Sequence, residues 1–102
     1  MPNYGSSTTF LADELTQKVI SVGTSAVELF TGVSRNAARQ VVRIYNDGNN
    51  ACYIGPVGVT SSGSTKGEIL QKQQSITYVL GDVAIYAITA SGTTSLIITE
   101  LA

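Results

Sequence analysis

From Gln17 onward, short runs rich in β-branched and aromatic residues are separated by Gly, Ser, Asn and Asp. That is the pattern of half-buried strands joined by turns. Residues 18–22 form the first run, ending at Gly23-Thr24-Ser25, and residues 26–30 the second, ending at Thr31-Gly32. Together they predict a hairpin with a short turn. In residues 39–46 the basic side chains alternate around Val42 and Ile44, which predicts one wet face and one buried face. Asp47-Gly48-Asn49-Asn50 predicts a second hairpin turn, with Gly48 supplying a positive φ. Residues 51–54 are the expected returning strand, stopped by Gly55-Pro56, with Val42, Ile44, Cys52 and Ile54 directed into the core.

Residues 55–67 are polar enough to lie on the surface as a long loop. Residues 68–70 predict a short edge element and residues 75–80 a further strand, ended by Gly81-Asp82. Residues 83–90 and 94–101 predict a last pair, joined through Ser91-Gly92-Thr93. Both are apolar on both faces: Val83, Ile85 and Ala87 alternate with Ala84, Tyr86 and Ile88, and Leu96 and Ile98 with Ile97 and Thr99. A strand with one wet face shows a cleaner alternation. One face is therefore expected in the core and the other against another subunit or a partner. The sum is an all-β chain: a single compact antiparallel β-sandwich or jelly-roll-like domain of about seven or eight strands, with an extended N-terminal arm. The arm is assigned to residues 1–16 and the sandwich to residues 17–102. Residues 2–9 are mostly Gly, Ser, Thr and Asn, while Phe10, Leu11 and Leu15 fit one amphipathic turn too short to be stable alone. The apolar side chains of the arm and of the last two strands give a candidate assembly interface: Tyr4, Phe10, Leu11, Leu15, Tyr86, Ile88 and Ile97.

Composition sharpens this picture. Charged residues make up 13% of the 102-residue chain, about half the usual share. No apolar run approaches the ~18 residues of a membrane helix, so the excess apolar surface points to contact with copies of the chain or a partner. The net charge of −1 offers no basic field for nucleic acid. Arg35, Arg39 and Arg43 are expected in a loop and at outward-facing strand positions. Cys52 stands alone, which excludes an internal disulfide and fits assembly in a reducing cytoplasm. The N-terminus lacks the charged and apolar regions of a signal peptide, so the protein is expected to stay where it is made or to leave inside an assembly.

Catalytic chemistry finds little material. The chain has no His, which excludes Ser-His-Asp and Cys-His arrangements. Gly63-Ser64-Thr65-Lys66-Gly67 holds the residue types of a phosphate loop in the wrong order. Asp13, Glu14, Glu28, Asp47, Glu68, Asp82 and Glu100 fall mostly in turns and on expected wet faces, without Ca²⁺-loop spacing. Tyr45, Tyr53, Tyr78 and Tyr86 lie within expected strands and read as half-buried packing. Tyr4, in the polar arm, reads as an anchor on a neighbouring subunit. No catalytic, cofactor-binding or metal-ligating residue is assigned, and no enzyme activity is expected.

The order Val19-Ile20-Ser21-Val22-Gly23-Thr24, Arg39-Gln40-Val41-Val42-Arg43-Ile44-Tyr45-Asn46, Ala51-Cys52-Tyr53-Ile54-Gly55, a Lys66-Gly67-Glu68 loop, Val83-Ala84-Ile85-Tyr86-Ala87-Ile88 and a terminal Thr99-Glu100-Leu101-Ala102 resembles the small β-sandwich virion structural proteins of tailed bacteriophages. These recur as head-decoration and fibre-associated modules. The resemblance spans residues 17–102 and implies a capsid decoration (cement) protein that binds the head surface and stabilises it through subunit contacts. It implies a homo-oligomer, with a trimer favoured, and the major capsid protein or another virion protein as partner. It places the chain in the virion, assembled in the host cytoplasm, with no cofactor, nucleic acid or membrane involved. A tail, neck or fibre-base adaptor is the alternative within that class, and a carbohydrate-binding β-sandwich module the alternative from another.

Overall fold

The computed structural model describes residues 13–102. Eight strands follow in chain order: β1 Leu15–Val22, β2 Val27–Glu28, β3 Val41–Asn46, β4 Cys52–Gly55, β5 Glu68–Leu70, β6 Ser75–Val79, β7 Tyr86–Thr89 and β8 Thr94–Leu101. They form two antiparallel four-stranded sheets, β1-β8-β3-β6 and β2-β7-β4-β5. The pairs β1·β8, β2·β7, β3·β6 and β4·β5 are those of one long antiparallel ribbon rolled up on itself. The pairs β3·β8 and β4·β7 close the roll. This is jelly-roll connectivity.

The alternation along each strand decides what it buries. In β3, Val42, Ile44 and Asn46 point inward while Arg43 is exposed. In β8, Thr94, Leu96, Ile98 and Glu100 point inward and Ser95, Ile97, Thr99 and Leu101 outward. The core between the sheets combines Val22, Val42, Ile44, Leu96 and Ile98 of the first sheet with Cys52, Ile54, Leu70 and Ala87 of the second. Leu29 and Ile85, from the loops flanking β2 and β7, fill the remainder. The expected inward set Val42, Ile44, Cys52 and Ile54 is found there, each at most 2% exposed.

Three expected hairpins are not formed. Residues 18–22 and 26–30, residues 39–46 and 51–54, and the last two strands each split between opposite sheets. Sequence-neighbouring strands are joined by loops that cross the sandwich, and only β4 and β5 pair with their immediate successor or predecessor. Short Gly- and Asn-rich connections serve a crossing as well as a hairpin, so local turn chemistry does not distinguish the two. The reason given for Gly48 also changes. Among the described residues the positive-φ glycines are Gly58, Gly63 and Gly92. Gly48 is needed instead for closeness, since a Cβ there would lie 1.9 Å from Thr94 Oγ1 and 2.7 Å from the Ser95 nitrogen.

Leu15 and Thr16, assigned to the arm, belong to β1, where they pair with Leu101 and Glu100. Asp13 and Glu14 hydrogen-bond to the backbone of Ala102, and residues 1–12 of the expected arm, with Tyr4, Phe10 and Leu11, lie outside the described residues.

Cys52 is a fully buried free thiol, and burial pushes its pKa up to about 11. The native protein is therefore expected to resist a thiol reagent at neutral pH. Cys52→Ala should cost about 1 kcal/mol in urea unfolding, at the small end of core truncations. Rapid labelling of the native protein would contradict this register.

Candidate functional site

Buried charge is the first place to look for chemistry. Arg39 and Glu100 are each 1% exposed and form an ion pair of 2.5 Å. This corrects the expectation of a surface Arg39 and a solvated Glu100. Arg39 lies in the loop before β3, and Glu100 continues the inward series Leu96–Ile98 on β8. The Arg39 guanidinium also donates to the carbonyls of Leu29 (3.1 Å), Gly81 (3.3 Å) and Val83 (2.5 Å). Glu100 Oε1 accepts from the Thr31 hydroxyl (2.7 Å) and the Thr31 backbone N–H (3.2 Å), and the Thr31 hydroxyl meets that of Thr16 at 2.6 Å. Every one of these contacts joins protein to protein. The group clasps the β2–β3 and β6–β7 loops to β1 and β8. Arg35 reinforces the same two loops at the surface, reaching Glu28 (2.5 Å) and Asp82 (2.7 Å). The hydrogen bond to Asp82, then that to Glu28, raises its already high pKa further.

Asn46 does the equivalent work for the connections β3–β4, β5–β6 and β7–β8. It is wholly buried. Its amide nitrogen donates to the carbonyls of Asn50 (2.9 Å) and Leu70 (3.0 Å). Its oxygen accepts from the Gly48 N–H (3.1 Å) and the Thr94 hydroxyl (2.7 Å). A side-chain amide has two donors and two acceptor sites, so this one is saturated. In both centres the buried side chains are committed to contacts that tie loops to strands.

The sheet faces present a different chemistry. Register places Leu15, Leu101, Val41 and Val79 in one row across the outward face of the first sheet. Leu15 is 69% exposed and Val79 64%. Gln17, Thr99, Arg43 and Thr77 form the next row. Val19, Ile97, Tyr45 and Ser75 form the third, with Val19 62% exposed. Arg43 is the only charged side chain in these three rows, and it lies over the Tyr45 ring at 5.7 Å. The outward face of the second sheet carries Tyr86 beside Glu28, then Ile88, Tyr53 and exposed Ile69 in a row.

Of the candidate interface residues, Leu15 and Ile97 thus share the outer face of the first sheet, while Tyr86 and Ile88 share that of the second. They lie on opposite sides of the sandwich and cannot form one patch. The expectation of two-sided apolar strands holds for Ile88 and Ile97 individually, which are half-buried on outward faces. Val41, Val79 and Val19 complete the first face and were readable only from cross-strand register, which a single sequence does not provide.

A cleft of about 320 Å³ opens between the sheets, lined by Gly55, Pro56, Tyr78, Leu80, Val83, Ala84 and Ile85. Its walls are apolar, without the convergent polar groups that orient a small ligand. Tyr78 OH instead donates to Glu68 Oε1 at 3.2 Å. Two further tyrosine rings lie beneath cations, Tyr53 under Lys66 at 5.6 Å and Tyr45 under Arg43 at 5.7 Å. Among the described residues, no three His, Cys, Asp or Glu side chains converge as a metal site would require.

Burial, then the charge and hydrogen bond of Glu68, push the Tyr78 pKa up to about 12. Both Cys52 and Tyr78 stay protonated in the fold at pH values where the unfolded chain ionises. Their raised pKa values favour folding fully below pH ~9, and that contribution is lost as pH rises through about 9–12. Urea midpoints should fall across this window. In Cys52→Ala the decline should begin about one unit higher, where tyrosine starts to ionise. An unchanged alkaline profile in that variant would contradict the burial of the thiol.

Neither the protein-family models nor the curated proteins with which the chain was compared give a match.

Proposed function

We propose that this chain is a structural protein that works by being built into a larger assembly, and specifically a virion protein of a tailed bacteriophage. The role that fits best is capsid decoration, binding the head surface and stabilising it through subunit contacts. The observation that carries this reading is the outer face of the first sheet: apolar rows flank a polar row, with Leu15, Val19 and Val79 more than 60% exposed. Large exposed apolar side chains gathered on one face mark an interaction surface. The virion assignment draws on the sequence resemblance, and the polar centres at Arg39–Glu100 and Asn46 favour a rigid scaffold over a catalyst.

Quantitative mass spectrometry of purified phage particles tests this. Hundreds of copies per particle are expected of a decoration protein. A handful of copies would favour a tail, neck or fibre-base adaptor, and absence from the particle would overturn the virion reading.

A further inference from the structure

We propose that the edge of β1 away from β8 is a self-association site, at which β1 pairs antiparallel with β1 of a second copy about a two-fold axis through Gln17. The inference stands on the backbone, independently of the virion reading. Glu14 and Ala102 exchange both of their backbone hydrogen bonds. In an antiparallel ladder such pairs alternate with pairs whose N–H and C=O groups point away. The register Thr16↔Glu100, Lys18↔Ile98 and Ile20↔Leu96 therefore continues the bonded series, and Leu15, Gln17, Val19 and Ser21 direct their backbone groups to the open edge. All four are exposed, and among the described residues β1 pairs with no strand but β8. An eight-residue edge with free donors and acceptors is a template for another strand.

The sequence of β1 selects a copy of itself. Only registers that oppose odd-numbered residues with odd-numbered residues both join free backbone groups and keep each face continuous. Centring on Gln17 sets Leu15 against Val19 of the second copy, and Val19 against Leu15. These are the two large apolar side chains that β1 leaves exposed. About six backbone hydrogen bonds form, two for each of three bonded pairs. Lys18, the only charge within β1, faces Thr16 of the copy, and its diagonal neighbours there are Glu14 and Lys18. Each lysine thus has a carboxylate as close as the other lysine. Lys18 also lies 5.7 Å from the Phe30 ring of its own chain, which keeps it from the seam. The trimer expected from the resemblance has no counterpart in this edge, because a two-fold uses one strand against itself. The contact is small by interface standards, so the dimer forms weakly in solution and is favoured where local concentration is high.

Sedimentation velocity from on the order of 10 µM to 1 mM, the range of weak association, tests this. The full chain should shift toward twice its 10.7 kDa mass. Gln17→Pro removes an N–H that the β1–β8 ladder does not use, so it should keep the melting temperature while weakening the dimer at least about tenfold. Val19→Lys, which leaves the backbone unaltered, should do the same and covers the case in which the proline variant misfolds. Gln17→Cys should form an intermolecular disulfide under mild oxidation, since the paired positions lie about 5.5 Å apart. A monomer throughout the range, a trimer, or a dimer that Val19→Lys leaves intact would each overturn the proposal.

Discussion

Arg39→Met is expected to destabilise the protein by about 3–5 kcal/mol. Total stability for such a domain is on the order of 5–15 kcal/mol, so the variant should be largely unfolded in mild urea. The size of the effect follows from what the substitution leaves behind. Glu100, 1% exposed, would keep a carboxylate with no cation. The carbonyls of Leu29, Gly81 and Val83 would lose a donor. An uncompensated buried charge costs several kcal/mol, and each orphaned carbonyl adds to it. Arg39→Lys should fall between the two, because one ammonium cannot match the planar fork that reaches four acceptors. The double variant Arg39→Met with Glu100→Leu should recover part of the loss by removing the charge, but not the part due to the three carbonyls. Arg35→Met, which removes two partly exposed ion pairs, should have a much smaller effect. Urea unfolding with an unchanged m-value checks the series. A loss below about 1 kcal/mol for Arg39→Met would show that the clasp is not a determinant of the fold.

Asn46→Asp is expected to cost at least about 3 kcal/mol at neutral pH. The two side chains have nearly the same shape, so no cavity is created and packing alone predicts almost no change. The hydrogen bonds predict otherwise. The amide nitrogen that donates to Asn50 and Leu70 becomes an oxygen facing two carbonyl oxygens at 2.9 and 3.0 Å. A charge is also placed where the amide is fully buried. Comparing the urea midpoints of wild type and Asn46→Asp separates these views. A difference within about 0.5 kcal/mol, typical of surface changes, would show that Asn46 is a space-filler rather than the centre that ties three connections together.

The strands were legible because period-2 alternation is a local property of the chain. Val42-Arg43-Ile44-Tyr45 announces β3, and the inward set of β3 and β4 follows from it directly. Pairing partners were not legible, because they depend on how the ribbon rolls. The crossing at Asp47-Gly48 uses the same residues as a hairpin, and what requires Gly48 is Thr94, distant in sequence. The buried ion pair had a usable signal in β8: Leu96 and Ile98 set the inward parity, and Glu100 continues it. No comparable signal marked Arg39, which precedes its strand and enters the interior from a loop. The outward apolar rows were half legible. Ile97 and Ile88 showed as unexplained apolar positions, but alignment of Leu15, Leu101, Val41 and Val79 across four strands appears only once register is known.

Attachment to purified particles, measured for wild type and for variants of the outer face of the first sheet, tests most directly whether that face is the working surface. Val79→Lys and Arg43→Glu are suitable because both residues are exposed, neither lies in the core or on β1, and both variants should melt with the wild type. Each is expected to weaken binding to undecorated heads at least about tenfold, the effect of disturbing a principal contact. If both variants decorate heads as fully as wild type, at matched concentrations, the outer face of the first sheet is not how this protein attaches.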